Sequence, residues 1–302
     1  MIRSPLVAPC ALALCVVAVP ACKSGGGEAM KYVPESAAFV AGVDLKGLRS
    51  TDSWKDNQGE IESAGGSELK TLDKCNIGLD KWDRVTIGAD GKSKASIVVV
   101  VEGDGLGKKE NLECLAAEDK NIVVEDGGKL VKIDDDLTGY VVSDKMVAFA
   151  GPDWTDAVKG LVDGDGKHAG DGDLKDVIGR ADTGKHIWFA GILPLQYAAP
   201  AQMFLGVSIK DVAGHMDFSS GLQFRIAANT GSGDDADAAK TKLQQQYDES
   251  KDQGKQLGIP ESVVDAIKID ADGPAVVVEV EVSKEEINKI EEMAKAKLGG
   301  GA

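Results

Sequence analysis

Near the C-terminal end, Val276, Val278, Val280 and Val282 alternate with Glu279 and Glu281. That is a period of two, and it predicts a strand over Ala275–Val282 with one face buried and one wet. The same reading predicts strands over Ala37–Val43, Arg84–Ala89, Ser96–Glu102, Lys129–Ile133, Gly139–Val142, Met146–Ala150, Ile187–Ile192, His215–Ser219, Leu222–Ala227 and Ala266–Asp270. Ile97–Val101 is apolar on both faces, which suits a central strand. Other stretches change period. Ala236, Ala239, Leu243 and Tyr247 share one stripe of a helix running to about Leu257. Ile287, Ile290 and Ala294 do the same after Ser283-Lys284-Glu285-Glu286, a capping box in which Ser283 and Glu286 satisfy each other's free backbone donors. Shorter helices are expected at Asn111–Ala117, after Pro152 (with Trp154, Val158 and Leu161 on its stripe), at Leu174–Gly179 and at Leu195–Phe204.

The order of these elements predicts an α+β fold of two similar units. Each has an antiparallel sheet packed on helices in the order β-α-β-β-α-β-β-α. The expected boundaries are a signal peptide over 1–21, a flexible lipidated tether over 22–33, a first unit over 34–162, a Gly/Asp-rich linker with a short helix over 163–183, and a second unit over 184–298. A single α+β domain whose strand count happens to divide well is the alternative.

The start of the chain sets an address. Arg3 is followed by an apolar run from Leu6 to Val19, too short for a bilayer core of about 30 Å. It has the length of a signal-peptide core. Val19-Pro20-Ala21-Cys22 then gives way to Lys23-Ser24-Gly25-Gly26-Gly27-Glu28. This resembles a bacterial lipobox, which implies cleavage before Cys22 and its acylation, with the bilayer as a partner. An ordinary secretory signal with an incidental Cys22 is the alternative. Lys23 after the cysteine favours the outer membrane over the inner by analogy with lipoprotein sorting. With 34 basic and 50 acidic side chains, the net charge of −16 argues against a nucleic-acid partner. An apolar fraction of 43% is enough for a core.

Cys10 and Cys15 fall within the signal. If Cys22 is lipidated, Cys75 and Cys114 remain, and export to an oxidising compartment favours a disulfide between them. Two separate buried thiols are the alternative.

Tyr32-Val33-Pro34-Glu35-Ser36-Ala37 leads into Phe39-Val40-Ala41-Gly42-Val43-Asp44-Leu45. After a lipobox, this opening resembles exported lipoproteins of no assigned function from myxobacteria and related bacteria. The placement of Cys75 and Cys114 and the Lys185–Pro194 strand are similar to them too. The resemblance covers most of the mature chain and brings no catalytic residues.

Motifs that would carry chemistry fall short. Gly179–Lys185 has the spacing of a phosphate-binding P-loop, but His186 stands where Ser or Thr should hold magnesium, and a helix precedes it where a strand should. Ser67-Glu68-Leu69-Lys70 has Ser-x-x-Lys spacing without a Lys-Thr-Gly strand. Asp163, Asp165, Asp171 and Asp173 are weak calcium candidates on a glycine-rich loop, with Lys167 and His168 breaking the EF-hand pattern. His168, His186 and His215 lie at no ligand spacing, and no Gly-x-Ser-x-Gly elbow is present. Of the four tryptophans, Trp54, Trp82, Trp154 and Trp188, the last two read as core anchors and Trp82 as a ring needing a polar partner. The expectation is therefore a non-catalytic, cofactor-free, lipid-anchored envelope protein that binds a partner protein or an apolar ligand at the periplasm or outer membrane. An envelope hydrolase assembled only in three dimensions and a calcium-responsive binding protein are the alternatives.

Overall fold

The computed structural model describes residues 27–64, 66–134, 136–256 and 260–290. The expected signal peptide, Cys22 and Ala294 of the expected C-terminal helix lie outside the described residues.

The first half runs β1 (Phe39–Asp44), α1 (Leu45–Ser50), α2 (Asp52–Ala64), α3 (Gly66–Lys74), β2 (Trp82–Ala89), β3 (Ile97–Gly103), α4 (Lys109–Glu118), β4 (Ile122–Glu125), β5 (Leu130–Ile133), β6 (Leu137–Ser143), β7 (Met146–Ala150) and α5 (Thr155–Asp163). After α6 (Lys175–Arg180), the second half runs β8 (Ile187–Ile192), α7 (Leu195–Leu205), β9 (Asp211–Asp217), β10 (Gly221–Asn229), α8 (Gly233–Gln256), α9 (Glu261–Asp265), β11 (Ile267–Asp272) and β12 (Ala275–Ser283). Residues 284–290 are helical.

All the described strands join one antiparallel 12-stranded sheet, ordered β11-β12-β10-β9-β8-β1-β2-β3-β7-β6-β5-β4. The two halves meet where β1 pairs with β8, with Ala41 opposite Phe189. The sheet is thus continuous across the two expected units. Alternation along each strand then sorts side chains onto two faces.

The first face carries Val40, Thr86, Val98, Val100, Ala148, Ala150, Trp188 and Ala190, all fully or nearly fully buried. Over them pack Ala29, Met30, Val33, Trp154, Val158, Leu174, Val177 and Ile178 in one core. Trp154 and Trp188 are core anchors, as expected. Beyond β9 the same face turns polar: Arg225 pairs with Glu279 and Gln223 with Glu281. The valines of β12 point the other way, and Val276 and Val278 pack under α8, as the alternation predicts.

Several expectations need correction. The flexible segment expected over 22–33 is ordered over Glu28–Tyr32, which form a 3-10 turn that buries Ala29 and Met30 in the main core. The Gly/Asp-rich segment is fastened to the chain ahead of β1. Pro34 bridges His168, Ala169 N–H donates to Val33 C=O at 2.8 Å, and Ala169 and Leu174 are fully buried. The single helix expected between the first two strands is three. Thr51 separates α1 from α2 and caps α2, its hydroxyl accepting from Trp54 N–H at 3.2 Å. β4 was not expected; it adds a hairpin, so the first half departs from the β-α-β-β-α-β-β-α order. β9 begins at Asp211 rather than His215 because Ala213 and Gly214, weak strand formers, are buried against their neighbours.

Candidate functional site

Among the described residues, the second face of the sheet is incompletely covered. On one flank, Leu72, Cys75 and Leu115 pack on Val85, Val99 and Val101. On the other, Ala239, Leu243 and Tyr247 pack on Val276, Val278 and Ile269. Between them lie Phe39, Ala41 and Val43 of β1, Ile87 of β2, Ile187 and Phe189 of β8, Met216 of β9, and Phe224 and Ile226 of β10. Among the described residues, none belongs to a buried core cluster. They are half-buried, and Phe39 is 38% exposed. Among α1–α9, no helix packs extensively along β1, β8, β9 or β10 on this face. The five strands span about 19 Å across at the usual strand spacing.

Glycines keep this strip low. Phe39 lies directly opposite Gly191, and Phe189 opposite Gly214. A Cβ at Gly191 would sit 2.9 Å from the Phe39 ring, and one at Gly214 would overlap the Phe189 ring. Each ring therefore lies over the glycine of the neighbouring strand. The same device serves Gly42 under Trp188 and Gly139 under Phe149. The backbone polar groups of the strip are consumed by strand pairing, so its surface offers an occupant only apolar contact.

The walls are braced. Cys75, at the end of α3, and Cys114, on α4, form a disulfide with their Cα atoms 5.5 Å apart. Arg49 of α1 donates to the carbonyls of Leu79 and Trp82, at 2.7 and 2.5 Å. Trp82 Nε1 donates to Ile77 C=O at 2.9 Å, the polar partner its position called for. Lys284 Nζ reaches Asp52 of α2 at 2.5 Å and so joins the two halves. Ser283 and Glu286 make the expected capping box: Ser283 N–H donates to Glu286 Oε2 at 2.9 Å, and Ser283 Oγ accepts from Glu286 N–H at 3.3 Å. A hydrogen bond from Ser262, followed by those from the Ser283 N–H and hydroxyl, lowers the Glu286 carboxyl to about 2.

The fold is similar to that of TP0453. Crystal form I of that protein superimposes with a TM-score of 0.53 at 9% identity, over 87% of this chain and 96% of the other. Crystal form III gives 0.55 at 7% identity, over 86% and 96%. The likeness is one of fold alone. No family model matches the chain, and no curated protein does.

The polar residues singled out in the sequence are placed elsewhere. Asp217 gathers His186, Lys185 and Ser219 at the β9–β10 turn. Lys185 Nζ lies 2.7 Å from Asp217 Oδ2, Ser219 Oγ 2.6 Å from Oδ1, and His186 Nδ1 3.1 Å from Oδ1. Ser, His and Asp thus meet, but the hydroxyl donates to the carboxylate, and His186 Nδ1 accepts from Phe218 N–H at 3.1 Å. Activating a serine requires the imidazole on the hydroxyl; here the carboxylate takes that bond. His215 is half-buried, and burial pulls its pKa below the ordinary imidazole value. It lines a shallow cleft of about 210 Å³ with Gln223, Arg225, Lys268 and Glu279. His168 Nδ1 accepts from Gly170 N–H at 3.1 Å.

The acidic segment does not converge. Asp163 pairs with Lys159, and Asp171 lies 3.3 Å from His168. Among the described residues, no three His, Cys, Asp or Glu side chains are placed to share a metal ion. In the P-loop-like segment, Arg180 pairs with Asp211 and Lys185 with Asp217. Ser67 Oγ donates to Glu68 at 3.2 Å. The sequence reading missed the strip itself; its signal was glycine inside strand patterns, which marks close approach of a neighbour.

Proposed function

We propose that this chain is a non-catalytic, lipid-anchored protein of the bacterial cell envelope that binds an apolar, acyl-chain-like ligand on the open strip of its sheet. The observation that carries the reading is the strip: half-exposed side chains over five adjacent strands, none ionisable, none in a core cluster. Binding sites favour such junctions between units. A peptide laid there would leave its own backbone groups without partners, so the chemistry favours hydrocarbon. The lipobox-like Cys22 and the disulfide agree with an exported, anchored protein.

The reading includes a duplication. Outward from the β1–β8 pair, the neighbours run β1-β2-β3-β7-β6 on one side and β8-β9-β10-β12-β11 on the other. α4 and α8 each follow the third of these strands, and the β4–β5 hairpin is then an insertion at one edge. The strip lies on the join.

The test is a titration with a fluorescent long-chain fatty acid. The unsubstituted chain is expected to bind it saturably. Ala41→Asp, which puts a charge within the strip at the β1–β8 join, and Ala41→Trp, which fills that position without one, are expected to abolish binding while the melting transition persists. Equal binding by folded Ala41→Trp would refute the site.

A further inference from the structure

The apolar helix α7 stands apart from the strip. From Ile187 to Ile209 the chain runs twenty-three residues without an Asp, Glu, Lys, Arg or His, its longest such stretch, in a protein where 28% of residues are charged. The run starts in β8, whose side chains the sheet uses. It ends in Val207 and Ile209, which are buried with Leu193 and Leu205 against α8. α7 is therefore seated at both ends. Its outer part is bare: Met203 is 85% and Phe204 56% exposed, and Ala199 and Pro200 are exposed beside them. Val123 and Phe39 are the other large apolar side chains exposed among the described residues, and neither lies on a helix.

The surroundings of this helix fit one kind of surface. Gly206 ends α7 in the left-handed conformation, and the Lys242 ammonium lies 3.8 Å from where its Cβ would be. Lys210 follows on the same end. Neither lysine has an ion-pair partner among the described residues, although the protein carries sixteen excess negative charges. An apolar centre with free ammonium groups at its rim complements a bilayer interface, where hydrocarbon is bordered by phosphate. Burying an uncharged helix there desolvates no ionised group.

The geometry points to α7 as a membrane-contact element that dips Met203 and Phe204 into the interface of a lipid bilayer, separately from acylation of Cys22. The inference rests on the reading of the chain as an envelope protein, which sets a bilayer within reach: Cys22 precedes Gly27, the first described residue, by five positions, at most about 18 Å of chain. Gly27 abuts Arg84, which pairs with Asp44 at the far end of β1, whereas α7 follows the end of β8 that pairs with Phe39. Anchor and helix thus make two separated contacts, and together they would hold the strands along the membrane.

The experiment removes the anchor. A mature chain with Cys22→Ser is sedimented with vesicles of phosphatidylcholine and phosphatidylglycerol. It is expected to associate with them. Met203→Ser with Phe204→Ser, both exposed and so harmless to folding, should weaken association by roughly tenfold or more. Lys210→Gln with Lys242→Gln should weaken it only on vesicles containing phosphatidylglycerol. No association of the unlipidated chain, or equal association of the serine variant, overturns the inference. So does concentration-dependent self-association that the serine variant abolishes, which would make a second copy the occupant. Fatty-acid binding to the strip is read separately, so its survival would leave the proposed function standing if the membrane contact fails.

Discussion

Asp217 closes the β9–β10 turn with its carboxylate. Burial alone would raise its pKa. The Lys185 ammonium and the hydroxyl and backbone donors of Ser219 outweigh that and hold the group well below the usual carboxylate range. A carboxyl depressed in the folded state stabilises the fold above its unfolded pKa of about 3.9, and that contribution is lost as pH falls through the folded value. Asp217→Asn is accordingly expected to cost about 1–3 kcal/mol at neutral pH. The gap to the unsubstituted protein should close progressively below about pH 4. Melting curves at pH 7, 4 and 2.5 check this, and a gap that stays constant to the most acid point would contradict it. Residue by residue, the apolar anchors were legible in the sequence: Trp154, Trp188 and the valines of β12 stand where periodicity puts them. Gly42, Gly139, Gly191 and Gly214 were not, because a glycine's role under a ring depends on the register of another strand. The convergence of Lys185, His186 and Asp217 was hidden for the same reason; 32 positions separate Lys185 from Asp217.

At the scale of elements, most strands were legible because their alternation is strong and their ends carry glycine or aspartate. β4 escaped, being four residues long at the edge of the sheet, where few contacts enforce a pattern. α1–α3 were condensed into one helix because their apolar stripes are weak; no α3 side chain is fully buried, and the Cys75–Cys114 bond just beyond holds the segment to α4. The disulfide closes a loop with a sequence separation of 39, for which chain entropy gives about 4 kcal/mol. Cys75→Ala with Cys114→Ala is expected to lose stability of that order in chemical denaturation. Because the bond braces one flank of the strip, amide exchange should accelerate in α3 and α4 more than in α8. A loss below 1 kcal/mol with uniform exchange would contradict this.

At the scale of the molecule, antiparallel α+β architecture follows from strands that alternate and hairpins that connect them. What no local pattern could supply is that both halves share one sheet. That fact depends on the β1–β8 pairing, between strands 148 positions apart in their paired centres, Ala41 and Phe189. It also creates the strip, since neither half alone would set Ile87 and Ala41 beside Phe189. Among the described residues, the first face of the sheet is a closed core, and the second carries a half-buried apolar surface at the join.

The measurement that bears most directly on that picture is a native mass spectrum of the protein released from its own membrane in mild detergent. The expected spectrum is a chain beginning at Cys22 with covalently attached acyl groups, carrying in addition an apolar molecule that leaves when the protein is unfolded. A chain with an unmodified Cys22 and no dissociable apolar molecule would contradict both the anchor and the binding strip.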